Sequence, residues 1–139
     1  MQKLERGQIR HPLKIPETLL KCTGPHMGET WDKNGLVTPV DIFISTNYFP
    51  KPHYFVIERI IENHLHPTIK YCLAYIITHS SIYNNLKIKN EYYSESEINL
   101  SNNSYITKDK FLITTDSIDT KKLYGIFDIE KLNTFINDN

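Results

Sequence analysis

The chain has 139 residues, 40% hydrophobic and 23% charged, which suits one globular domain and excludes disorder as the default state. A mean hydropathy of -0.42 and the lack of any long apolar run argue against a helical membrane span. Its 16 basic residues balance 16 acidic ones, which disfavours a broad nucleic-acid surface.

The start of the chain is basic, with Lys3, Arg6, Arg10, Lys14 and Lys21 against Glu5 and Glu17. Its first ten residues, MQKLERGQIR, lack the apolar segment expected of a secretory signal, and the two cysteines, Cys22 and Cys72, stand at no metal-ligand spacing. Both thiols are therefore expected to be free, in the cytosol. Residues 16–21 open on Pro16 and Glu17 and read as a short helical turn. Gly24-Pro25-His26-Met27 has the form of a cleavage-and-cloning remnant. Residues 1–23 are accordingly set apart as a basic segment that could be flexible or fused to the domain. A glycine-rich loop follows, carrying Trp31. Residues 36–46 alternate Val40, Ile42 and Ile44 with Asp41, Phe43 and Ser45, the pattern of a strand.

The densest apolar material lies between Pro52 and Ile88. Over residues 53–65 the adjacent pairs Val56-Ile57 and Ile60-Ile61 break strand alternation and fit one face of a helix. Residues 67–86 fit two periods. A helix aligns Ile69, Cys72, Leu73, Ile76 and Ile77; a strand sorts Tyr71, Leu73, Tyr75 and Ile77 from Cys72, Ala74, Ile76 and Thr78. The Tyr, Ile and Thr content favours the strand and the length favours the helix, which is the reading preferred. Residues 89–110 are polar with scattered aromatics, a loop with one short strand at 98–100 or 104–107. Residues 110–115 and 122–127 read as strands. Asp128 then caps a final helix whose apolar stripe is Ile129, Leu132, Phe135 and Ile136.

The expected fold class is therefore α+β: one domain over residues 1–139, with a helical pair and a C-terminal helix packed on a small antiparallel sheet. No motif fixes a chemistry. The pair His64 and His66, with His79 and Glu62, supplies the candidate acid–base groups of a small hydrolase acting on RNA or a phosphoester. No metal or cofactor is expected, because no second ligand pair stands at a recognised spacing. The aromatic and acidic loops favour partner binding instead, through Trp31, Tyr48, Phe49, Tyr92, Tyr93 and Glu95. The expectation is a cytosolic protein-binding module that inhibits or neutralises a partner with a basic surface, of the immunity or antitoxin kind. A subunit of a larger assembly is the third possibility; its basic first segment would be the tether.

Overall fold

The middle of the chain is a pair of long antiparallel strands. The structure, a computed structural model, describes residues 3–13, 19–23, 42–46, 53–62, 70–81, 85–100 and 103–139. Ten strands and one α-helix fall among them: β1 (Gln8–Arg10), β2 (Leu19–Thr23), β3 (Ile42–Thr46), β4 (Phe55–Glu62), β5 (Lys70–Thr78), β6 (Leu86–Lys87), β7 (Tyr93–Ser96), β8 (Tyr105–Ile106), β9 (Lys110–Thr114), β10 (Gly125–Phe127) and α1 (Ile129–Asn137). They make a sheet in the order β3-β2-β9-β5-β4-β1-β10-β7, with β8 pairing β5 and β6 off that path. The sheet curls into a half-barrel with the helix at the C-terminal end of the chain. Among the described residues, no helix is long and apolar enough to cross a membrane.

The expected helical pair on a small sheet is overturned. The described parts of residues 53–65 and 67–86 include the two longest strands of the sheet, so the fold is mostly antiparallel β. The physical reason lies at Glu58. The β4–β5 register runs Phe55–Ile76, Val56–Tyr75 and Ile57–Ala74, then resumes at Arg59–Leu73 and Ile60–Cys72. That one-residue bulge puts Ile57 and Ile60 on one face, three positions apart instead of two. Both faces of the sheet are also buried. Phe55, Ile57, Cys72, Ala74, Ile76, Phe111 and Ile113 fill one side. Ile9, Val56, Tyr75 and Ile77 meet Leu132 and Ile136 of α1 on the other. Adjacent apolar residues separated by a bulge imitate the spacing of a helix.

The remaining elements mostly sit near their expected places. Ile42–Thr46 is a strand, and residues 36–41 lie outside the described residues. Lys110–Thr114 and Gly125–Phe127 are strands within the expected ranges, and Tyr105–Ile106 is the short strand of the polar region. Asp128 caps α1 by accepting a hydrogen bond from the Lys131 amide at 3.2 Å. The helical turn expected over 16–21 is corrected where it is described: Leu19, Leu20 and Lys21 belong to β2.

The basic first segment supplies β1 and β2, two strands inside the sheet. Arg10 on β1 is fully buried; its guanidinium donates to Gln8 Oε1 at 3.0 and 3.1 Å and to the Lys122 carbonyl at 2.9 Å. Burial pulls the Arg10 pKa down and the charge of Asp119 opposes that pull. Gly7 lets β1 enter between β4 and β10. Its φ is +93°, and a Cβ there would lie 2.6 Å from the Phe127 carbonyl oxygen.

Candidate functional site

Three described histidines gather at one end of the central strands. β1 ends where β4 begins, since Arg10 pairs with Phe55, and β5 ends beside both, since Phe55 pairs with Ile76. His11 and His79 directly follow the ends of β1 and β5, and His53 precedes β4 by two positions. The Ile77 amide donates to the Tyr54 carbonyl at 2.9 Å and carries the pairing one step further.

A cavity of about 480 Å³ opens there, lined by His53, Tyr54, Ile77, Thr78, His79, Ile98, Asn99, Leu100 and Ser104. Ile77, Thr78, Leu100 and Ser104 are buried, His53, Tyr54 and Ile98 half-buried, and His79 and Asn99 exposed. Tyr54 is held by its neighbours: its ring stands edge-on to His11 at 5.0 Å and to Tyr124 at 4.8 Å. His79 is held too. Its Nδ1 lies 2.8 Å from the Asn103 carbonyl oxygen. A carbonyl only accepts, so Nδ1 carries the proton, and the neutral ring's acceptor is Nε2.

A second polar cluster lies where β4 meets α1, created by the Glu58 bulge. Neighbours on a regular strand point to opposite faces, whereas Glu58 and Arg59 here turn to each other. The fully buried Glu58 carboxylate accepts from Arg59 Nε at 2.8 Å and from an Arg59 terminal nitrogen at 3.2 Å. Lys110 Nζ stands 3.5 Å away. Burial works to raise the Glu58 pKa, but the Arg59 hydrogen bond and the charges of Lys110, Arg59 and Arg6 together hold it below its ordinary value. Tyr75 moves the other way, pushed up by burial and by the Glu58 charge. It stays a phenol, whose hydroxyl donates to Asn133 Oδ1 of α1 at 2.7 Å. With Arg6 bridging to Glu130 at 2.8 Å, this cluster fixes the helix on the sheet.

The third feature is the β7 edge. β7 ends the strand order, paired with β10. Glu91, Glu95 and Glu97 are exposed along and beside it. Tyr93 is half-buried, with its hydroxyl donating to Asn90 Oδ1 at 2.9 Å, and Tyr92 is buried, stacked on Phe135 at 4.7 Å.

Of the residues singled out in the sequence, the described ones fall in three places. His79 lines the cleft with His53, while Tyr92, Tyr93 and Glu95 lie at the β7 edge. Glu62 is paired with Lys70, at the opposite end of the β4–β5 ladder from the cleft. His64, His66, Trp31, Tyr48 and Phe49 lie outside the described residues. Among the described residues no group of three or more His, Cys, Asp or Glu could hold a metal ion. Sequence reasoning missed Ser104 and Asn99 as cleft residues, and Arg59 and Lys110 as the partners of Glu58. Their roles depend on strand register, which a helix over 53–65 hides. Comparison with protein-family models, curated proteins and solved structures finds no match.

Proposed function

We propose that this chain is a cytosolic protein-binding module that inhibits or neutralises a partner with a basic surface, and that it docks through the β7 edge. The observation that carries the reading is the group of exposed carboxylates on and flanking a terminal strand of the sheet: Glu95 on β7, with Glu91 just before it and Glu97 just after. An edge strand offers backbone N–H and C=O groups to an incoming chain. Its acidic side chains repel a second acidic edge and select a basic one. The Glu97–Lys122 pair at 3.4 Å is exposed on both sides, so a partner can displace it at little cost. The buried, free Cys72 supports the cytosolic setting.

The test is affinity capture from a native extract followed by a binding measurement on the recovered protein. The triple variant Glu91→Lys/Glu95→Lys/Glu97→Lys is expected to lose a stoichiometric basic partner while keeping the wild-type melting temperature. Equal affinity of wild type and variant for that partner refutes the docking edge.

A further inference from the structure

The cleft at the ends of β4 and β5 takes part of its wall from Ile98, Asn99 and Leu100, just after β7, but includes none of Glu91, Glu95 and Glu97. We propose that it is a binding site for a small, neutral, aromatic molecule carrying one N–H or O–H group, which donates to His79 Nε2.

Size comes first. A cavity of about 480 Å³ falls in the range of small-molecule sites. Charge comes next. Among the described lining residues there is no Asp, Glu, Lys or Arg, so a charged ligand would lose its hydration without gaining a counter-charge. Shape follows from the walls. Ile77, Ile98 and Leu100 supply apolar surface, and the Tyr54 ring, fixed by His11 and Tyr124, supplies a flat one.

The polar handle is the imidazole. Thr78 Oγ1 already accepts from the Ser80 amide at 3.2 Å, and Ser104 Oγ donates to the Asn99 carbonyl at 3.3 Å. Both hydroxyls thus help hold the wall together. His79 is oriented from behind by Asn103, whose φ of 55° is a left-handed conformation that asparagine tolerates better than most residues. The Asn103 carbonyl accepts a hydrogen bond from Nδ1–H, which orients the ring and leaves Nε2 as the acceptor of the neutral imidazole. A ligand donor meeting that nitrogen completes a hydrogen bond with little further ordering of the protein.

Indole and N-methylindole test the inference, because they share a flat body and differ in the donor. Titrations are followed by heteronuclear NMR of the His79 ring and of the Ile77 and Leu100 methyl groups. Indole is expected to saturate these signals and to bind about fivefold more tightly than N-methylindole, the effect of one neutral hydrogen bond. His79→Phe, at an exposed position, is expected to keep the fold and erase the difference between the two probes. Ile98→Trp is expected to fill the cleft and weaken both. The inference is overturned if neither probe saturates the wild type up to its solubility limit. It is equally overturned if the indole preference survives His79→Phe, or if Ile98→Trp leaves both affinities unchanged in a protein that still folds.

Discussion

Arg59→Met isolates the polar cluster beneath α1. The substitution keeps an unbranched side chain and deletes the two charge-assisted hydrogen bonds, at 2.8 and 3.2 Å, that Arg59 donates to the buried Glu58 carboxylate. Such bonds contribute roughly 1.5–3 kcal/mol each. Lys110 remains at 3.5 Å, and the Arg59 side chain is 38% exposed, so water follows where the guanidinium leaves. The net loss is therefore about 2–3 kcal/mol, below the full sum of two bonds. With an unfolding entropy of about 2.1 cal/mol/K per residue, a chain of 139 residues should melt roughly 7–10 °C lower. The double variant Glu58→Leu/Arg59→Met removes the stranded charge and should recover at least half of that loss. Recovery stays incomplete because Lys110 loses its carboxylate and is left over the Tyr75 ring, 5.7 Å away.

The same cluster has a defined pH signature. The Glu58 pKa is depressed in the folded protein, so its contribution is present above the unfolded value, near 4.3, and is lost as pH falls through the folded one. In Arg59→Met the main opposing influence is gone and burial lifts the carboxyl above its unfolded value. The variant should then gain on the wild type between pH 7 and about 5. Thermal unfolding followed by circular dichroism at both pH values reads all three proteins. The reasoning fails if the single variant loses less than about 0.5 kcal/mol, the range of an ordinary surface change. It fails too if the double variant melts no higher than the single, or if the gap to wild type does not narrow at pH 5.

Gly7→Ala should cost about 2 kcal/mol in denaturant unfolding, because its Cβ must sit 2.6 Å from a backbone oxygen at φ +93°. Tyr92→Ala should lose about 3 kcal/mol through the buried ring and its stack on Phe135, whereas Glu95→Lys should change stability by less than about 0.5 kcal/mol. Comparing their melting temperatures separates core from surface along one short stretch of chain. Burial pushes the Cys72 thiol up to about 12, so in Cys22→Ser protein an aromatic disulfide reagent at pH 8 should report a thiol only after denaturant is added.

How much was legible depended on whether a signal was local. The Asp128 cap and the stripe Ile129–Leu132–Ile136 are read within one helical turn, and α1 stands where they place it. Residues 110–115 and 122–127 are short runs rich in apolar and aromatic residues, joined by a turn-rich connection, and they contain β9 and β10. The strand reading of 67–86 was present in the alternation of Tyr71, Leu73, Tyr75 and Ile77, which face away from Cys72, Ala74 and Ile76. Length argued for the helix, yet β5 reaches nine residues because β9 and β8 flank its two halves in turn. The bulge at Glu58 was not legible, and it disguised β4 as a helix. The cleft needed more still: His53 and His79 are 26 positions apart in the sequence and meet only through antiparallel register.

The position of that cleft follows from how the sheet curls. On one side, β5 pairs first with β9, through Tyr71–Thr114 to Ala74–Phe111, and then with β8, through Ile77–Ile106 and Thr78–Tyr105. Thr107 stands at the division. Its amide donates to the Ile76 carbonyl at 3.1 Å, and its hydroxyl oxygen accepts from the Ile76 amide at 3.0 Å, a bond that a regular strand would make with a carbonyl. The Thr107 hydroxyl in turn donates to the Asp109 carbonyl at 2.9 Å, which folds residues 107–109 out of the ladder. The Thr107 amide and hydroxyl and the Ile76 amide and carbonyl are all paired at the break, so the strand divides inside the core without stranding these groups. β9 continues to β2 on one branch, and β8 turns to β6 on the other. Ser104 and Asn103, immediately before β8, are thereby carried to the end of β5, where Asn103 meets His79. A single side chain substituting for a backbone acceptor thus ends one ladder, begins another and sets the wall of the cleft.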